Sequence, residues 1–202
     1  MIRGIVLAAG ASSRMGQAKA ALPMGTTGET VVARVVRTLL AAGLPSVTVV
    51  AGAHIDAVRA AMPANEPRAG VVEHLGWAQG QLSSLLAGLA AVDDPQLEAI
   101  LVTLVDVPLV RPDSVAAIVR AWRESRAPIV RPVDGERHGH PVVFDREVFE
   151  DLRRADLSVG AKAVFAIHAS RRLDVPITDS GAFADMDTPG EYRAIVNRAE
   201  AL

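Results

Sequence analysis

Residues 7–19 read Leu7-Ala8-Ala9-Gly10-Ala11-Ser12-Ser13-Arg14-Met15-Gly16-Gln17-Ala18-Lys19, a segment that carries two glycines, two serines and two cations. Small residues let the backbone approach a phosphate closely. Exposed N–H groups and the Ser12 and Ser13 hydroxyls can donate to its oxygens, and Arg14 and Lys19 add charge-assisted bonds. The segment is therefore suited to cradling a triphosphate. Its spacing excludes two familiar phosphate loops. A P-loop places four residues between its glycines and follows them with Gly-Lys-Ser/Thr, whereas here five residues separate Gly10 from Gly16 and Lys19 lies three beyond Gly16. The dinucleotide fingerprint needs a glycine where this chain has Ser12.

Carboxylates follow at two places. In Val102-Thr103-Leu104-Val105-Asp106-Val107-Pro108, Asp106 ends an apolar run. Mg²⁺ takes one or two carboxylates plus phosphate oxygens, so Asp106 is the leading metal ligand, although an Asp ahead of Pro is by itself commonly a cap or turn residue. In Phe183-Ala184-Asp185-Met186-Asp187-Thr188-Pro189 two acids stand at spacing two. In an extended segment they share a side, with Met186 opposite, and could complete the metal shell; equally, they could cap a helix beginning at Pro189.

Two further segments carry polar groups. Around Gly80, a base could lie against the backbone while Gln79 and Ser83 hydrogen-bond its edge, though the same residues read as a capped helix start. His140, ahead of Pro141, is either a structural hydrogen-bonder or a group facing a substrate.

The elements that must position these groups follow from periodicity. Apolar runs at Ile2–Ala9, Ser46–Ala51, Gly70–Glu73 and Ala99–Val105 predict strands, and helices are expected over Glu29–Ala42, His54–Met62, Gln81–Val92 and Asp113–Glu124. Past these, the pattern predicts strands at Pro128–Arg131, Pro141–Phe144 and Arg172–Val175, helices at Arg146–Arg153, Val159–Ala169 and Gly190–Ala199, and a loop over Val133–His138. Strands alternating with helices predict an α/β, Rossmann-like, three-layer domain with a mainly parallel sheet, whose ligands sit beyond the strands' C-terminal ends.

Across 202 residues no composition break divides the chain, so one domain over 1–202 is expected. Half of the residues are hydrophobic but only 3% aromatic, which suits buried parallel strands and argues against a β-sandwich. A net charge of −2 gives no basic surface for nucleic acid. The absence of cysteine excludes disulfides, thiolate metal sites and cysteine nucleophiles. The opening apolar run is too short for a signal peptide or membrane span, and a cytoplasmic protein is the expectation.

Leu7-Ala8-Ala9-Gly10-x-Ser12-x-Arg14-Met15-Gly16-x-x-Lys19 resembles the signature of the molybdenum cofactor nucleotidyltransferases, members of the NTP-transferase superfamily with a Rossmann-like sheet. The likeness continues through Trp77-x-x-Gly80-x-x-Ser83-Ser84-Leu85, Asp106-x-Pro108, Gly139-His140-Pro141 and Asp185-x-Asp187-Thr188-Pro189, and so covers nearly the whole chain.

The resemblance implies transfer of a nucleoside monophosphate from CTP or GTP to the phosphate of molybdopterin or its metal-loaded form. Arg14, Lys19 and Asp106 would serve catalysis, with Mg²⁺ on Asp106 and Asp187 and with Asp185 as the fallback ligand. The nucleotide would be held by Leu7, Ala8, Ala9, Gly10, Ser12, Ser13, Arg14, Gly16 and Lys19, together with Gln79, Gly80, Ser83 and Asp106. His140, Ser158 and Lys162 are expected at the acceptor. Ser158-Val159-Gly160-Ala161-Lys162 departs from the relatives' Asp-x-Gly-Ala-Arg, which leaves the acceptor's identity open.

Leu7-Ala8-Ala9-Gly10, where guanylyl-transferring relatives tend to show Leu-Ala-Gly-Gly, points to the cytidylyl branch. Two alternatives stand beside this reading: a sugar- or alcohol-phosphate acceptor, and a non-catalytic carrier that delivers the cofactor to a molybdenum hydroxylase client. Intact Lys19 and Asp106 weigh against the carrier.

Overall fold

A computed structural model describes residues 1–26 and 28–200. Strand β1 (Ile2–Ala8) is buried along nearly its whole length because helices cover both faces of the sheet. Alternate side chains supply two cores. Val6 packs under helix α1 (Val31–Ala41), whereas Ile5 and Leu7 pack with helix α3 (Gln81–Val92). Helix α1 forms because Val31, Val32, Val35, Val36, Leu39 and Leu40 recur at helical spacing behind Thr30, whose side chain accepts a hydrogen bond from the Ala33 N–H. Each large aliphatic buried there stabilises the fold by about 1.5–3 kcal/mol. Helix α3 lies close to the sheet because Gly88 carries no Cβ; one built there would come within 2.7 Å of Ile5 Cγ2 and 2.8 Å of Val50 Cγ2.

The remaining elements are β2 (Val47–Ala51), α2 (Ile55–Ala61), β3 (Ala69–Glu73), β4 (Ala99–Leu104), α4 (Pro112–Ser125), β5 (Ile129–Asp134), β6 (Arg137–His138), β7 (Val142–Asp145), α5 (Phe149–Arg154), α6 (Lys162–Ile167), β8 (Leu173–Pro176) and α7 (Pro189–Glu200). The eight-stranded sheet runs β3-β2-β1-β4-β7-β5-β6, with β8 paired to β5. Strands β1, β2, β3 and β4 are mutually parallel, so the mainly parallel sheet is observed, with β7 antiparallel to both β4 and β5. The chain leaves β1 toward β2 and β3, then returns to place β4 on the other side of β1. The crevice beyond the C-terminal ends of β1 and β4 is therefore a topological switch point.

Two local expectations are corrected. Val133–His138 is a hairpin, not a loop: Val133 pairs with His138 and Asp134 with Arg137, around Gly135 at φ +59°. Glycine at the first central position of a two-residue turn is what such a hairpin requires. Helix α6 begins at Lys162, not Val159, because Val159 and Gly160 both donate their N–H groups to the Asp156 carbonyl in a preceding turn. Among the described residues, no helix is long and apolar enough to cross a membrane.

Candidate active site

Register brings the loop and the first carboxylate together. Leu7 pairs with Leu104, and the Val105 N–H donates to the Leu7 carbonyl at 3.1 Å, so Asp106 emerges beside Ala9 and Gly10. The loop then curls back on itself. Ser12 sits at φ +51°, its carbonyl accepts from the N–H groups of Met15 and Gly16, and its hydroxyl accepts from the Lys19 N–H at 3.3 Å. Met15 is buried and anchors the far side of the turn. Lys19 consequently points into the cleft with its side chain only 12% exposed.

Asp187 reaches the same point from the other end of the chain. The Met186 N–H donates to the Asp106 carbonyl at 3.0 Å, and Met186 is fully buried. Thr188 caps α7: the Glu191 N–H donates to its hydroxyl, while the Glu191 carboxylate accepts from the N–H groups of Asp187 and Thr188. This reciprocal capping box decides the question left open by the sequence, since the cap is Thr188 and the Asp187 carboxylate is free to face inward. Thr188→Ala is expected to lower the unfolding free energy by about 0.5–2 kcal/mol, as loss of an N-cap does, measurable by urea denaturation.

Lys19 Nζ donates to Asp187 Oδ1 at 2.5 Å and to Asp106 Oδ2 at 3.4 Å, and Arg14 donates to Asp187 Oδ2 at 2.7 Å. The two acids respond in opposite ways. Burial pushes the Asp106 carboxyl above its ordinary value near 3.8; Lys19 opposes this, while Asp187 and Asp185 add to it. Asp187 is held below its ordinary value, chiefly by the hydrogen bond from Lys19, with Arg14 assisting. Asp106 Oδ1 is buried and has no hydrogen-bond partner among the described residues. Asp185 is exposed and lies outside the cleft lining, so the acid next to Thr188 is the one brought to the site.

The cleft has a volume of about 390 Å³ and is lined by Leu7–Arg14, Lys19, Gly80, Asp106 and Asp187 among others. Gly16 is outside the lining and serves the turn, at φ +69°. Two further expected nucleotide contacts are not brought there. Gln79 is exposed and outside the lining, and Ser83 donates its hydroxyl to the Gly80 carbonyl at 2.7 Å. Gly80 at φ +105° turns the chain, so that Gln81 and Ser84 face the cleft in their place. Trp77, quoted in the motif but given no role of its own, lines the cleft, as does His54, which sequence reasoning missed. The first packs where Gly52 leaves space, and the second hydrogen-bonds the Ala11 carbonyl at 2.9 Å and steadies the loop.

A second cavity of about 480 Å³ shares Leu7, Gly80, Gln81 and Leu104 with the cleft. His140, Ser158 and Lys162 all line it, so the three expected acceptor residues are brought together. Burial pushes the His140 imidazole below its ordinary value near 6.5, and its Nδ1 is buried with no hydrogen-bond partner among the described residues. Ser158 donates its hydroxyl to Asp156 at 2.7 Å.

The arrangement can bind a polyphosphate beside a second ligand. Cations line the loop, the carboxylates of Asp106 and Asp187 line the first cleft, and Leu7, Gly80, Gln81 and Leu104 border both cavities. The unpartnered Asp106 oxygen and the adjoining Asp187 fit a hard divalent cation that takes carboxylate and phosphate oxygens.

Residues 4–174 match the family described as MobA-like NTP transferase domain. The chain is 29% identical over 195 residues to a probable molybdenum cofactor guanylyltransferase of Mycolicibacterium paratuberculosis, covering 96% of this chain and 94% of that protein. It is 38% identical over 151 residues to nicotine blue oxidoreductase of Paenarthrobacter nicotinovorans, covering 71% of each. The manganese complex of Rv0371c from Mycobacterium tuberculosis H37Rv superposes with a TM-score of 0.72 at 30% identity, covering 97% of this chain and 98% of that one.

Proposed function

Because the chain belongs to the MobA-like NTP transferase family and is a nucleotidyltransferase, we propose that it transfers CMP from CTP to the phosphate of a molybdopterin-type acceptor. The observation that carries the reading is the meeting of Lys19, Arg14, Asp106 and Asp187 in a cleft that opens onto a second cavity.

An acceptor phosphate oxygen attacks the α-phosphorus of the NTP as the bond to the bridging oxygen breaks, and pyrophosphate leaves with that oxygen. The acceptor phosphate is already ionised at neutral pH, so no general base is demanded. Lys19 and Arg14 hold phosphate oxygens and neutralise the charge that develops on the leaving group. Asp106 and Asp187 would hold Mg²⁺, and manganese in the related Rv0371c complex supports a divalent ion. Such an ion supplies further charge neutralisation and orients the phosphates. Neutral His140, with Lys162, orients the acceptor in the second cavity. A molybdenum hydroxylase is the client that such a product would serve.

Ala9, which lines the cleft, supports cytosine; the relative named a guanylyltransferase supports GMP as the second reading. Pyrophosphate release is to be measured with each of the four NTPs and molybdopterin, with and without Mg²⁺. Release is expected with CTP and Mg²⁺. Release with GTP alone would move the assignment to guanylyl transfer, and none with any NTP while the pterin still binds would overturn the transferase reading in favour of the carrier.

A further inference from the structure

Resting on the reading of the second cavity as the acceptor site, we infer that Arg131, set in place by Asp174, selects acceptors that carry a negative charge on a flat ring. Arg131 belongs to β5 between Ile129 and Val133, and alternation puts it on the face where Ile129 joins the core shared with Val142 and Phe144. An apolar side chain is the usual occupant of such a position. Here a guanidinium stands there with its side chain 12% exposed, and it lines the cavity.

Arg131 is held in one orientation. It pairs in register with Asp174 on β8 and donates through Nε and Nη2 to the two oxygens of that carboxylate, at 2.8 and 3.2 Å. Its guanidinium lies 5.5 Å from the centroid of the Phe165 ring, which packs against Phe144 in a T-shaped pair. Nη1 makes no hydrogen bond among the described residues.

A structural ion pair would account for one arginine. Asp174 also accepts from Arg172 through Nε at 2.9 Å and Nη2 at 3.3 Å, and the three groups together carry one net positive charge. These guanidinium contacts, that of Arg131 foremost, hold Asp174 down at about 2, so the carboxylate stays ionised and the clamp stays set across the working pH range.

Charge around the cavity points the same way. Lys162 at the rim makes no ion pair among the described residues, and the lining includes no carboxylate. Leu82, Leu85, Val142, Phe144 and Phe165 form an apolar floor. A ring system fits that floor, and an anionic substituent would reach Arg131. The bidentate clamp gives this recognition a direction that a mobile lysine would not.

The test uses two fluorescent probes, pterin-6-carboxylate and neutral 6-hydroxymethylpterin, titrated into the full-length protein. Wild type is expected to bind the carboxylate roughly ten- to hundredfold more tightly, the span of one charge-assisted hydrogen bond. Arg131→Met, whose Asp174 keeps Arg172, should lose the preference while binding CTP and GTP as the parent does. Arg131→Gln gives the same readout should the methionine variant fail to fold.

Equal affinity of wild type for both probes, or an undiminished preference in the folded variants, would overturn the inference. So would turnover of molybdopterin by Arg131→Met with the parent's acceptor KM, an outcome that leaves the transferase reading intact. Conversely, loss of the preference in Arg131→Met, with no NTP supporting pyrophosphate release, sinks the transferase reading and spares the role of Arg131.

Discussion

Asp106→Asn is expected to remove turnover while leaving the protein as stable as its parent at neutral pH, or more stable. The loss of activity follows from taking a carboxylate away from the place where charge must be neutralised. Several kcal/mol of transition-state stabilisation correspond to at least about a thousandfold in kcat/KM. The stability effect has a separate origin. Burial raises the folded-state pKa of Asp106 above its ordinary value near 3.8. A group raised in this way stabilises the fold while it is protonated, and that contribution is lost as pH rises through the folded value. At pH 7 the ionised carboxylate therefore carries a desolvation cost, which asparagine lacks, and Lys19 keeps Asp187 as its partner. Thermal melts should place the variant at or above wild type at pH 7, with the gap closing toward pH 4. A variant much less stable than wild type at pH 7 would contradict this account of Asp106.

Lys19→Met is expected to abolish turnover as well, but with the opposite effect on stability. Lys19 is the cation between two acids, and its removal leaves Asp106, among the described residues, facing only the repelling carboxylates of Asp187 and Asp185, while Asp187 keeps Arg14. Removing one partner of a well-buried ion pair destabilises by about 3–5 kcal/mol, and the partial exposure of Asp187 places this variant below that range. NTP binding should weaken by about ten- to hundredfold, the span of a charge-assisted hydrogen bond. Unchanged NTP affinity, measured by titration calorimetry, would show that the Lys19 ammonium does not reach the phosphates.

The parallel strands and their helices were legible because burial on both faces writes itself as unbroken aliphatic runs, as in Ile2–Ala8. The loop and Asp106 were legible because register between β1 and β4 follows from that same topology. Ser83 was not, because its orientation depends on Gly80 at φ +105°, a backbone angle that a residue type permits without requiring. Asp187 was ambiguous until Thr188 and Glu191 were seen to close the capping box between themselves. Arg131 was missed because its partner lies 43 residues away on β8. An arginine interrupting Ile129–Val133 was the signal that could have found it. The Val133–His138 hairpin is signalled by Gly135, whose positive φ suits a tight turn, while the polar composition of that stretch points to a loop.

The hydrogen bond from the Met186 N–H to the Asp106 carbonyl also bears on how the protein comes into being. Asp106 is made 81 residues before Asp187, so the acidic pair forms only once both stretches exist and this hydrogen bond has brought them together. A copy cut between β4 and Asp187 has β1 and β4 and lacks the carboxylate that joins Asp106 at their ends, so on the proposed role of the acidic pair it is expected to turn over no substrate.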